Sequence, residues 1–191
     1  MQRFIVLIDH LSTWVGKFFA WAIVILTFVV TYEVFVRYVL SAPTAWAYDT
    51  SYMLYGTLFM MCGAYALAGN AHVRADVVSR HFAPRAQAAL DLALYLVFFF
   101  PGILALVWYG WDFFGLSYRQ NEHSSFTPGG PPIYPFKFVI PFAALLLLIQ
   151  GLAEVMRCLL CLRDGRWPPR LGDVEEIPLP VADGDTKELR S

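Results

Sequence analysis

Apolar residues in this chain gather into four long runs, at about residues 18–38, 50–67, 88–114 and 135–160, separated by stretches rich in polar residues, Pro or Gly. A helix needs roughly 20 mostly apolar residues to cross a hydrocarbon core of about 30 Å, and each run is near that length. Lys17 and Arg37 bracket the first run. Ser41, Ala42, Pro43 and Thr44 make a turn short enough to fold the first two runs into an antiparallel hairpin. Pro135 stands where the first turn of a helix tolerates proline. The pattern predicts an all-α integral membrane protein with four transmembrane helices. Its membrane domain covers residues 1–163, and residues 164–191, polar and rich in Pro and acids, read as a disordered tail.

Ahead of the first run, Phe4, Ile5, Leu7, Ile8 and Leu11 fall on one helical face, with Arg3, Asp9, His10 and Ser12 largely on the other. This spacing fits two readings: a short amphipathic helix in the membrane interface, or a cytoplasmic extension of the first span. A cleavable leader competes for the first run itself, because Ala45, Trp46 and Ala47 have the small-x-small look of a cleavage site. The run is longer than the roughly 7–15 residues of a leader core, and Glu33 and Arg37 sit at its end, so it is retained as a span.

Composition supports the membrane class. Of 191 residues 58% are hydrophobic and 15% charged, where a soluble domain carries about 25% charged residues. Net charge is -1, and no basic stripe interleaved with aromatics suggests a nucleic-acid partner. The cations are unevenly placed. Arg3, Lys17, Arg74, Arg80, Arg85, Arg157, Arg163, Arg166, Arg170, Lys187 and Arg190 fall on one side of a four-span topology, against Arg37, Arg119 and Lys137 on the other. Cytoplasmic loops hold the excess of Lys and Arg, so both termini are expected in the cytoplasm. Trp46, Tyr48, Tyr52, Trp108, Tyr109 and Trp111 then make an outer aromatic belt, and Trp14 and Trp21 part of an inner one.

Ionisable groups inside a span are functional candidates by default. Glu33 and Arg37 are four apart on one helical face and can pair, and Asp49 begins the next helix across a short turn. The three read as a polar clamp at the outer end of the first hairpin; the functional alternative is Glu33 as a proton-coupling carboxylate, which Arg37 counters by neutralising it. Gln150 and Glu154 repeat the four-residue spacing, with Arg157 three further on, as a polar stripe that can join helices. Gly56 with Gly63, and Ala64 with Ala68, mark small-residue tracks on the second span that suit packing within the chain as well as a partner. Pro101, Gly102 and Pro141 can bend the third and fourth spans.

Other chemistry finds little support. His10, His72, His81 and His123 lie outside the spans or at their edges, which disfavours haem, and His72 with His81 or Glu122 with His123 has no metal-ligand spacing. Cys158 and Cys161 match a redox pair's spacing but fall at the cytoplasmic end of a span, where thiols stay reduced, and Cys62 suits packing. No catalytic residue, cofactor or metal ligand is assigned.

Several separated motifs carry a resemblance. Glu33-Val34 with Arg37-Tyr38 ends the first span; Ala42-Pro43-Thr44-Ala45-Trp46-Ala47-Tyr48-Asp49 leads the second; Gly63-Ala64 with Ala66-Leu67, then His72-Val73-Arg74-Ala75-Asp76, follow. In the fourth, Gly130-Pro131-Pro132-Ile133-Tyr134-Pro135-Phe136-Lys137 and Ile140-Pro141 run on to Gln150-Gly151 and Glu154. Together these resemble the small membrane subunit, the Q-type component, of tripartite ATP-independent periplasmic (TRAP) transporters, in the form found in members assigned mannitol- or chloroaromatic-type substrates. Many members place Glu directly after Trp-x, where this chain has Tyr48-Asp49.

The resemblance implies a multi-pass subunit of the bacterial inner membrane that is not an enzyme and that braces a large permease subunit. The large subunit imports an organic acid or related solute by sodium symport, and a periplasmic solute-binding protein delivers it. Glu33, Arg37, Trp46, Asp49, Gln150 and Glu154 become candidate interface or structural residues, and His72, Arg74 and Asp76 a cytoplasmic loop motif whose Arg74 can meet lipid phosphate. Two other readings stand beside it: an autonomous small proton-coupled multidrug-type exporter using Glu33, and a membrane redox enzyme using Cys158 and Cys161.

Overall fold

The computed structural model of the chain describes residues 2–69, 82–127 and 129–168. These form α1 (Gln2–Ala20), α2 (Ala22–Tyr38), α3 (Trp46–Ala68), α4 (Pro84–Leu94), α5 (Phe100–Arg119) and α6 (Tyr134–Asp164), with a π turn (Tyr95–Phe99) joining α4 to α5. Among the described residues four helical stretches are long and apolar enough to cross a membrane: Gln2–Tyr38, Trp46–Ala68, Pro84–Arg119 and Tyr134–Asp164. They coincide with the four apolar runs and overshoot them, because an apolar run marks the part that lipid needs, while a helix continues until its backbone is stopped.

The stops are chemical. Trp21 keeps helical dihedrals and accepts hydrogen bonds from the Val24 and Ile25 amides, so α1 passes into α2 with one residue's break in the ladder. Ser41, at a φ of 52°, ends the first hairpin arm. Pro84 and Pro135 sit in the first turns of their helices, where a missing N–H costs nothing. Pro101 follows the π turn, in which the Phe100 amide reaches back to the Tyr95 carbonyl; the wider turn accommodates a residue that has no amide to donate and crowds the preceding turn. Gly165, left-handed at φ 72°, closes α6 by donating its amide to the Cys161 carbonyl at 2.8 Å.

The helices form an open array around α6. The α1 and α2 pair runs antiparallel to α3, α1 and α3 pack on one side of α6, and α4, the π turn and α5 pack on its other side. In lipid the helices gain no hydrophobic free energy by meeting, so close packing and hydrogen bonds must hold them. The glycines show how. Gly16 of α1 lies against the Cβ of Tyr65, a methyl on Gly56 would sit 2.6 Å from the Phe136 ring, and one on Gly110 would sit 3.3 Å from the Pro141 Cβ; Gly151 meets the Phe99 ring of the π turn. Both small-residue tracks on α3 are therefore used within the chain: Gly56 and Gly63 face Phe136 and Leu147 of α6, and Ala64 and Ala68 are buried.

The segment ahead of the first apolar run forms α1, which runs on into α2 within one helical stretch, Gln2–Tyr38, as an extension of the first span would, and it buries a mixed face. Phe4, Leu7 and Leu11 are exposed, while Asp9 and Ser12 join Ile5 and Ile8 against the array. In a membrane protein apolar side chains are at ease facing lipid, so it is the polar side chains that need cover.

Candidate functional site

The largest concentration of buried polarity lies where α1 crosses the second half of α6. Asp9 and Ser12 face Gln150, Glu154 and Arg157, and all five are at most 2% exposed. Ser12 Oγ donates to Gln150 Oε1 at 2.7 Å, and Gln150 Nε2 donates to Asp9 Oδ1 at 3.0 Å and to Glu154 Oε1 at 3.5 Å. The Arg157 guanidinium bridges both carboxylates, one amino group on Glu154 and the other on Asp9. Helical spacing makes this possible, because Gln150, Glu154 and Arg157 share one face of α6 and Asp9 and Ser12 one face of α1. The expected stripe of Gln150, Glu154 and Arg157 is thus one half of a joint. Asp9 and Ser12 supply the other, and the signal available for them was an acid and a serine three residues apart on one face of the N-terminal helix.

A second polar joint closes the opposite end. Glu33 Oε1 accepts from Arg37 Nε at 2.9 Å and Nη2 at 2.6 Å, and its Oε2 accepts from the Thr44 amide at 3.2 Å and also from the Thr44 hydroxyl. This carboxylate ties the end of α2 to the hairpin turn, with both oxygens engaged. Trp46 stacks on Tyr32 of α2, ring centres 6.0 Å apart.

Asp49 does not join this clamp. It is wholly buried beneath the segment between α5 and α6, where its Oδ1 accepts from Ser124 Oγ at 2.5 Å. The three-residue clamp expected from sequence is therefore two separate contacts, because the turn into α3 points Asp49 inward, toward Ser124, and leaves Arg37 half exposed at the rim. The covering segment is fixed by pairings that sequence spacing does not reveal. The Ser124 amide donates to the Pro131 carbonyl, the Ile133 amide to Glu122, and Thr127 Oγ1 to the Ala45 carbonyl. Phe126 packs edge-on against Tyr48 and Tyr52. Glu122 pairs with Lys137 of α6, whose ammonium also lies 4.0 Å from the centre of the Phe113 ring. That ammonium holds the Glu122 carboxyl below the usual carboxylate range.

The remaining candidates fall into structural places. Cys158 and Cys161 are not joined in a disulfide and are buried with Ala88 against Trp167, and Cys161 Sγ approaches the Pro84 carbonyl at 3.6 Å. Cys62 Sγ lies 3.7 Å from the Gly16 carbonyl at the α1 and α3 crossing. His123 Nδ1 is bonded to the Asn121 carbonyl. His72, Arg74 and Asp76, and the tail beyond residue 168, lie outside the described residues. Among the described residues most of the buried polar side chains engage one another at helix joints, while Asp49 Oδ2 and Arg157 Nε have no hydrogen-bond partner.

Comparison with known proteins agrees with this architecture. No curated relative matches the chain. A family model does, that of the DctQ component of tripartite ATP-independent periplasmic transporters, over residues 26–161. That stretch contains the hairpin clamp, Asp49 with its cover, and the α6 half of the α1 joint; Asp9 and Ser12 precede it. The matched length, most of the chain, together with four spanning helices and no strand among the described residues, decides the assignment: the chain belongs to the family of DctQ components, the small membrane subunits of TRAP transporters.

Proposed function

We propose that this chain is an accessory scaffold subunit that braces the large membrane subunit of a sodium-coupled TRAP importer in the bacterial inner membrane. In this reading it carries no catalytic residue, cofactor or sodium site; solute and sodium are handled by the large subunit, and a periplasmic binding protein delivers an organic acid or related solute. Both termini lie in the cytoplasm, in keeping with the Lys and Arg bias. The hairpin turn at Ser41 and the segment over Asp49 then face the periplasm, and the loop holding His72, Arg74 and Asp76 faces the cytoplasm.

The observation that carries the reading is how the polar side chains within the spans are used. Glu33, Asp9, Glu154, Arg157, Gln150 and Ser12 are hydrogen-bonded across or along helix joints. A carrier needs polar groups converging on a midplane cavity between parts that move; a brace needs a rigid array, since a mobile carrier domain must slide against something that stays still. The Glu33 carboxylate, with both oxygens engaged, is poorly placed to pick up and release protons as an exporter would require.

The test is uptake in cells or vesicles holding all three components. Removing this chain abolishes solute uptake, and the chain alone in proteoliposomes transports nothing. Separate Glu33→Ala, Arg37→Ala and Trp46→Ala variants weaken assembly or uptake if the hairpin end meets the large subunit; wild-type behaviour from all three contradicts that placement.

A further inference from the structure

Large apolar side chains stay exposed right up to one end of the array. Phe4 (55% exposed) and Leu7 (67%) on α1, Phe82 (50%) and Leu90 (53%) around the start of α4, and Leu159 (45%) near the end of α6 all face outward. Arginines begin within about a turn of them: Arg3 beside Phe4, Arg85 just past Phe82, Arg163 one turn after Leu159, and Arg166 beyond the Gly165 cap. Packing gathers these onto one end. Ile5 of α1 and Leu160 of α6 share a buried cluster. At the left-handed Gly165 a Cβ would lie 3.5 Å from Arg85 Nε, and Trp167 donates to Gln87 Oε1 at 3.4 Å, so the chain after α6 is laid against the start of α4.

Among the described residues the exposed charge at this end is mostly positive. Among the described residues its exposed acid is Asp164, bonded to Arg163 at 2.8 Å. Asp9 and Glu154 are buried on Arg157, and the half-buried Asp91 has a partner of its own. Helix length sets the depth. Gln2–Tyr38 and Pro84–Arg119, with 37 and 36 residues, are each about 55 Å long at 1.5 Å per residue. The hydrocarbon core is about 30 Å and the whole bilayer about 40–45 Å. Centred helices of this length pass beyond the hydrocarbon core and reach through the headgroup layer, and apolar exposure running up to the arginines puts the boundary of the acyl chains close to them.

We propose that Arg3, Arg85, Arg163 and Arg166 form a collar that binds the headgroups of acidic phospholipids. Guanidinium groups suit phosphate oxygens. Phe4, Leu7, Phe82, Leu90 and Leu159 offer adjoining surface to acyl chains, which a free anion would not use. This assignment is independent of the transporter reading and of which end faces the cytoplasm.

The test is native mass spectrometry of the full-length chain from micelles holding equal phosphatidylglycerol and phosphatidylethanolamine. The wild type retains phosphatidylglycerol preferentially. Arg85→Gln with Arg166→Gln lowers that preference at least about fivefold, since one basic residue at an acidic surface is worth roughly that factor. Arg119→Gln, at the opposite end, leaves it unchanged. Circular dichroism checks the fold of each variant; should the double variant not fold, the wild type in high salt gives the reading, because screening removes a preference based on charge. No preference in the wild type, a preference that survives both the double variant and high salt, an equal loss from Arg119→Gln, or complete displacement of the lipid by excess inorganic phosphate would each overturn the proposal.

Discussion

Arg157 carries the heaviest burden of any single side chain. It is fully buried and bridges Asp9 on α1 and Glu154 on α6, so Arg157→Met leaves two carboxylates in an apolar site without their cation. Removing one partner of a buried ion pair costs about 3–5 kcal/mol, and we expect a loss of that order in denaturant unfolding of the purified chain. Ser12→Ala removes one interhelical hydrogen bond and should cost only about 0.6–2 kcal/mol. A smaller loss for Arg157→Met than for Ser12→Ala would contradict the bridging role. Glu122 gives a prediction in pH. Its folded-state carboxyl sits below the ordinary value because of Lys137, so the clasp stabilises fully above the ordinary carboxylate range and is lost as pH falls through the folded value. The wild type should melt above Glu122→Gln at neutral pH, and the gap should close on acidification; a gap independent of pH would show that the pairing is not the cause. Sequence made Glu33 with Arg37, and Gln150 with Glu154, legible because each pair lies on one helix at fixed spacing. It did not reveal Asp9 with Arg157 or Asp49 with Ser124, because partners that meet across helices follow from packing angles that periodicity does not encode.

Helix crossings depend on a few positions with no side chain. Gly16 faces Tyr65 at the α1 and α3 contact and Gly151 faces the Phe99 ring, whereas Gly102 has nothing within 4 Å of where a Cβ would stand. Gly16→Ala and Gly151→Ala should each destabilise by about 1–3 kcal/mol through overpacking. Gly102→Ala should be neutral or stabilising by up to about 1 kcal/mol, because alanine is the better helix former. Thermal unfolding in one detergent compares the three directly, and equal effects would contradict the packing described for these crossings. The four spans were legible because a membrane imposes a minimum apolar length. Their ends were not, because proline, glycine and local turns stop a helix after lipid has ceased to matter. The inward face of α1 was not legible for a physical reason as well: where the surroundings are hydrocarbon, polar side chains such as Asp9 and Ser12 need cover more than apolar ones do.

For the whole molecule, α6 is the member against which α1, α3, α4 and α5 assemble, while α2 is held through α3, and the α1 joint fixes the N-terminal helix to it. The central claim is that this array serves as a fixed brace within a larger permease. It is tested most directly by mild-detergent purification of the tagged chain from native membranes, with mass spectrometry of what travels with it. The account predicts co-purification of a large multispan membrane subunit at about one to one. Recovery of the chain alone, or only with copies of itself, under conditions that preserve uptake would contradict it.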